Sequence, residues 1–161
     1  MRFRYRVQQT QTTAYSSHSR ENEMASNIDW TWEDGWILMA IYCAANEDGA
    51  ELSDIISVAD ATNHAIPMTS ELSSAMTKFV QCGLISAVDN RYHIAKHFLA
   101  AVRKAFEGRG GLFSSGDKGH RLLKRMNVSP DNTIRVELSE VEVTAAYRNY
   151  MKRFSNRGKR D

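Results

Sequence analysis

The chain has 161 residues, 42 % hydrophobic and 25 % charged, with two prolines and nine glycines. These proportions supply enough apolar side chain for a buried core and exclude a fibrous or low-complexity protein. The net charge of +2 hides a segregation: residues 26–95 carry two basic and ten acidic side chains, net −8, whereas residues 96–161 carry fifteen basic and seven acidic, net +8. The longest apolar run, Trp36 to Ala45, has ten residues. A membrane span needs about 20, so this run is expected to be a buried helix and the protein to have no membrane segment. The N-terminus has arginines but no apolar stretch behind them, so no secretion signal is expected. Cys43 and Cys82 then read as reduced, buried thiols of a cytoplasmic protein.

Residues 1–25 are rich in Gln, Thr, Ser and Arg and show no period. They read as a disordered basic arm or, because Met24 stands just before the first patterned segment, as sequence ahead of a mis-assigned start. Trp30 and Trp32 alternate with polar residues and are expected to pack over the domain edge. The first helix is predicted from Glu33 to Ala45, with Trp36, Ile37, Ala40, Ile41 and Ala44 on one face and Leu38 and Tyr42 widening it. Asn46-Glu47-Asp48-Gly49 ends it, and Ala50 to Leu52 forms a short extended piece. Ser53 is the expected cap of a second helix, with Asp54 in its first turn and Leu52, Ile55, Ile56 and Ala59 facing the core. Thr62-Asn63-His64 closes that helix, with His64 expected to cap a carbonyl. Pro67 disfavours helix at Ile66, and Thr69 or Ser70 caps a third helix. Leu72, Ala75, Met76, Phe79 and Val80 make its apolar stripe, while Ser70, Glu71, Ser73, Ser74, Thr77, Lys78 and Gln81 make its polar face. Gly83 is the expected left-handed C-cap, with Leu84 closing over it. Leu84 to Val88 and Arg91 to Ile94 read as a hairpin about Asp89-Asn90, two residues that tolerate positive φ.

The order helix, short strand, helix, helix, hairpin, with the junction KFVQCGLI, resembles the winged helix-turn-helix domain of bacterial transcriptional regulators over about residues 33–95. The resemblance implies that the third helix is a recognition helix and the hairpin a wing. It would place Ser70, Ser73, Ser74, Thr77 and Lys78 against duplex DNA and bring Arg91 to the backbone from the wing. The expected fold class is mainly α with a small β-hairpin. A winged helix-turn-helix domain at 26–95 would be followed by an α+β C-terminal extension at 96–161. The charge argues for an alternative. DNA affinity comes largely from Lys and Arg neutralising phosphates, and the domain is at −8 with a single lysine on its reading helix. The same fold used as a protein-interaction or assembly module fits that charge as well.

In the extension, a fourth helix is predicted from Lys96 to Glu107, broken by Gly108-Arg109-Gly110-Gly111. A short helix from Lys118 to Met126 and a turn at Ser129-Pro130-Asp131-Asn132 follow. Thr133 to Leu138 alternates apolar and polar residues and is predicted to be a strand. Ser139 and Glu142 form a capping box. The last helix carries Val143, Ala146, Tyr147, Tyr150, Met151 and Phe154 on one stripe, a good dimer element or cover for the core, and the chain is expected to be a homodimer with contacts from this helix or the fourth. The acidic and basic parts can pack on each other within one chain or between two.

Little in the sequence points to catalysis, and the protein is not expected to be an enzyme. The segment GRGGLFSSGDKG is the nearest approach to a phosphate cradle, since Gly111 and Gly116 have P-loop spacing. However, Asp117 precedes Lys118, Gly119 stands where Ser or Thr should hold magnesium, and a helix rather than a strand leads in. The segment reads as a connector. His93 and His97 are four apart, but one falls on a strand and the other on a helix, so neither a metal nor a cofactor is expected. His120, in a basic region, is expected to be solvated.

Overall fold

The computed structural model describes residues 28–157. The basic arm at residues 1–25, and the terminal Lys159 and Arg160, lie outside the described residues. The first helix, α1 (Trp32–Ala44), opens with a capping box. Asp34 N–H donates to Thr31 Oγ1, and the Asp34 carboxylate accepts from Thr31 N–H at 2.7 Å. Its residues from Asp34 to Ile41 are all buried. A helix apolar on every side is stable only inside other elements, and α1 accordingly forms the centre of the fold. Against it lie α2 (Leu52–Asn63), α3 (Thr69–Gln81), α4 (Lys96–Phe106) and α5 (Ser115–Arg125), and α6 (Glu140–Arg157) packs on α2. A small antiparallel sheet of β1 (Ala50–Glu51), β2 (Ile85–Val88) and β3 (Arg91–Ile94) has the order β1-β3-β2. The protein is mainly helical with one small sheet, and no helix among the described residues is long and apolar enough to cross a membrane.

The apolar stripes fall where the helical period puts them. Ile55, Ile56, Ala59, Leu72, Ala75, Met76 and Phe79 are fully buried. The hairpin turns at Asp89 and Asn90, both at positive φ (48° and 61°), with Val88 opposite Arg91 and Ile85 opposite Ile94. Gly83, at φ 63°, ends α3, and Leu84 N–H reaches back to the Phe79 carbonyl at 2.8 Å.

Several expectations are corrected. Ser53 is not the cap of α2: the helix starts at Leu52 without a side-chain cap, and Ser53 is buried. Neither Thr69 nor Ser70 caps α3. Thr69 is already helical, and the Glu71 carboxylate accepts from Met68 N–H at 2.7 Å. Trp30 does not lie over an edge but is buried and stacked on Phe79, with ring centroids 5.8 Å apart. His120 is not solvated; its Nε2 lies 3.0 Å from the Trp30 carbonyl oxygen. The strand expected over Thr133 to Leu138 is absent, because residues 126–139 have no regular secondary structure. The α+β character of the C-terminal extension disappears with it.

The C-terminal helices join the same hydrophobic cluster as the first three. Phe98 and Val102 of α4, Leu123 of α5 and Val143 and Ala146 of α6 all belong to it. The segment that looked like a phosphate cradle is used for packing. A Cβ on Gly119 would run into the Gly35 carbonyl oxygen, one on Gly35 into the backbone nitrogen of His120, and one on Gly116 into the Trp32 ring. A glycine inside a helix costs about 1 kcal/mol, and here that cost permits backbone-to-backbone contact of α1 with α5. Lys118 is buried, and its ammonium donates to the carbonyls of Phe106 at 2.9 Å and Gly110 at 3.0 Å. It caps the C-terminal end of α4, where a cation is favoured.

Candidate functional site: the polar face of α3

The polar face of α3 carries the residues to which the resemblance assigns DNA contact. Ser73, Thr77 and Gln81 recur every four residues, so they form one row along the helix. The chain's own segment 131–138 runs antiparallel along that row. Leu138 N–H donates to Ser73 Oγ at 3.1 Å. Val136 N–H donates to Thr77 Oγ1 at 2.9 Å, and the Thr77 hydroxyl donates back to the Val136 carbonyl at 3.2 Å. Gln81 Nε2 donates to the Ile134 carbonyl at 3.0 Å. Four helix residues advance about 6 Å and two extended residues about 6.6 Å, so the two repeats match over this length. The extended segment thus finds on helix side chains the partners that a neighbouring strand would otherwise supply.

The segment also closes the end of α3. Asp131 N–H donates to the Gln81 carbonyl at 2.8 Å, and Asn132 Nδ2 donates to the carbonyls of Val80 at 3.2 Å and Gln81 at 3.4 Å. Those carbonyls belong to the last turn, which has no intrahelical donors of its own. Val136 is buried, Leu138 is half-buried, and Thr133, Arg135 and Glu137 face solvent. Ile134 departs from the alternation and stays exposed.

The two cations expected on DNA are held by acids of the same domain. Lys78 donates to Asp34 Oδ2 at 2.7 Å and to the Asp29 carbonyl at 3.0 Å. The Asp34 side chain is only 3 % exposed, so this pair ties α3 to the start of α1. Arg91 donates to Glu51 Oε1 at 2.6 Å across the β1–β3 pair. Of the six residues assigned to DNA, Ser70 and Ser74 alone are exposed. Ser73, Thr77 and Lys78 are brought together on α3, but each is turned to a partner within the chain. Arg91 lies apart on the sheet.

Sequence reasoning missed Asp34, Gln81 and Asn132. A row of Ser, Thr and Gln at four-residue spacing was a visible signal, since short hydrogen-bonding side chains in one line can serve a backbone as well as a base edge. Beyond the ladder, α6 packs on α2, with polar side chains bonded across the pair. Tyr150 Oη donates to Asp60 at 2.7 Å, and Arg153 bonds Asp54 and Glu51. The basic-on-acidic packing occurs within one chain here. A cleft of about 440 Å³ opens where α6 meets the hairpin turn, lined by Glu51, Ser53, Asn90, Arg91, Leu138 and Asn149 among others.

His64 ends α2 at φ 52°, with its ring against Phe113 at 5.3 Å. His93 lies in β3 beside Gly49, and His97 is exposed in the first turn of α4. Among the described residues no three His, Cys, Asp or Glu side chains are grouped to hold a metal. Cys43 and Cys82 are half-buried, and burial pushes both thiols up to about 11. No family model matches the chain, and no curated protein and no solved structure matches it either.

Proposed function

We propose that the protein is a winged-helix module that works through protein contacts rather than by reading DNA with α3. The carrying observation is the ladder of Ser73, Thr77 and Gln81 to the backbone of residues 134–138. A recognition helix needs its polar face and its cations open to the groove; here the row of Ser73, Thr77 and Gln81 is filled and Lys78 is paired. The element order and the sheet order support the winged-helix description. The test is a titration of the full chain against duplex DNA at low ionic strength. No salt-sensitive binding is expected. Binding whose sequence preference changes on Ser74→Ala or Thr77→Val would return α3 to a DNA-reading role.

A second reading is favoured by a different observation. Lys96, Arg103 and Lys104 of α4 and Arg121, Lys124 and Arg125 of α5 are exposed and take part in no ion pair among the described residues. These two adjacent helices could carry nucleic acid on their outer sides without using α3. Each phosphate contact contributes about 0.9 to the log–log salt slope. Neutralising Arg121, Lys124 and Arg125 together would then flatten that slope by up to about 2.7. An unchanged slope removes this reading.

A further inference from the structure

Every ladder bond from α3 goes to the main chain of residues 134–138. Val136 is the sole side chain of that stretch that is buried. A site built this way selects an extended backbone with a valine-sized residue at its centre and leaves the intervening side chains free. It is the helical counterpart of adding a strand to a sheet edge. The segment continues into α6, so residues 131–157 form an arm.

The arm packs on α2 and α3 with one side and leaves its other side in solvent. Beyond the ladder, Val143 and Ala146 are buried, while Val141 is 78 % exposed and Met151 40 %. The pairs of Arg153 with Asp54 and Glu51 lie at exposed positions, where ion pairs contribute little. Residues 126–130 connect the arm to α5, have no regular structure and include Pro130. The segment that demonstrably fits the ladder is this chain's own, and the arm's basic end complements the acidic side chains of α2.

We infer that the occupant of the ladder exchanges between copies: two chains trade their 131–157 arms, and each arm lies on the α3 and α2 of the other copy. The inference rests on the interaction-module reading and names its partner, a second copy of this chain. Exchange reproduces the contacts of the arm and changes those of the connector, where Met126 and Val128 pack on the core, so its extent is set by the connector and by protein concentration.

The test uses two full-length variants, Ser73→Cys and Leu138→Cys, each with Cys43 and Cys82 replaced by Ala, and a short bismaleimide. Mixed at high concentration, incubated and then diluted for reaction, they should give a crosslinked dimer that neither variant gives alone. Mixing immediately before reaction should give less of it. A mixture that yields no more dimer than the separate variants overturns the exchange. A third chain carrying both cysteines separates the two ideas. If it closes on itself while the mixture does not crosslink, the ladder stands and only exchange is lost. If it closes neither within a chain nor between chains, the ladder itself is absent, and the interaction-module reading falls together with the exchange.

Discussion

Two late helices pack on two early ones in this molecule, and they do so by different means. Where α5 meets α1, Gly35, Gly116 and Gly119 remove the side chains and let main chains touch. Trp32 Nε1 donates to Asp117 at 2.9 Å beside that contact. Where α6 meets α2, α6 buries Val143 and Ala146 in the common core and adds bonds between polar tips, Tyr150 to Asp60 and Arg153 to Asp54. The first arrangement cannot be loosened without opening a void, because close-packed interiors have no slack. The second exchanges protein partners for water at modest cost. The basic charge of the C-terminal region therefore does not make it uniform: α5 meets α1 main chain to main chain, whereas α6 is held on α2 by side chains, some apolar and some polar.

The contrast is tested most strongly at Gly119. Gly119→Ala should destabilise the protein by about 1–3 kcal/mol, the ordinary cost of overpacking, and fall at the upper end because the obstacle is backbone. A lower urea midpoint at constant slope is expected; an unchanged midpoint would mean that α1 and α5 do not touch through glycine. Thr77→Val keeps the side-chain shape but removes both partners of Val136. The expected loss is about 1 kcal/mol, with faster hydrogen exchange at Val136 and Leu138 and no change at Leu123. Equal acceleration at Leu123 would show that arm and core open together. Arg153→Gln should cost less than about 1 kcal/mol, and the difference should vanish in high salt.

The smallest effect is a pH dependence. The hydrogen bond to Asp60, aided by burial and the Asp60 charge, raises the Tyr150 pKa above its ordinary value of about 10. A raised folded-state pKa adds stability that is complete below the unfolded value and is lost as pH climbs through the folded one. The unfolding midpoints of wild type and Tyr150→Phe should therefore differ most below about pH 10 and converge above it. A gap that persists at high pH would assign Tyr150 a packing role alone.

The helices and the hairpin were legible because each is written in local terms. A stripe at Leu72, Ala75, Met76 and Phe79 admits one face, and Asp89-Asn90 admits one kind of turn. What the local pattern could not carry was who pairs with whom. Thr133 to Leu138 alternates as a strand would, yet its hydrogen-bonding partner is a helix side-chain row more than fifty positions earlier. The same blindness affected the site. Lys78 reads as a free cation on a polar face until Asp34, 44 residues away, is folded against it. Helix starts were also displaced, since Ser53 and Thr69 satisfy the usual preference while α2 starts without a side-chain cap and α3 starts with the Glu71 carboxylate on Met68 N–H.

The glycine seam between α1 and α5 has a consequence for synthesis. Trp32 and Asp117, which bond across it, are separated by 85 residues, so α1 leaves the ribosome well before the helix it packs against. At about 5–20 residues per second that delay is roughly 4–17 s. During it α2 and α3 can cover part of α1, but the side around Gly35 has nothing to meet. Contacts this distant in sequence slow folding as well. A nascent chain halted before Ser115 presents that bare side to chaperones and proteases, and a substitution at Gly35 would prolong the exposure after release.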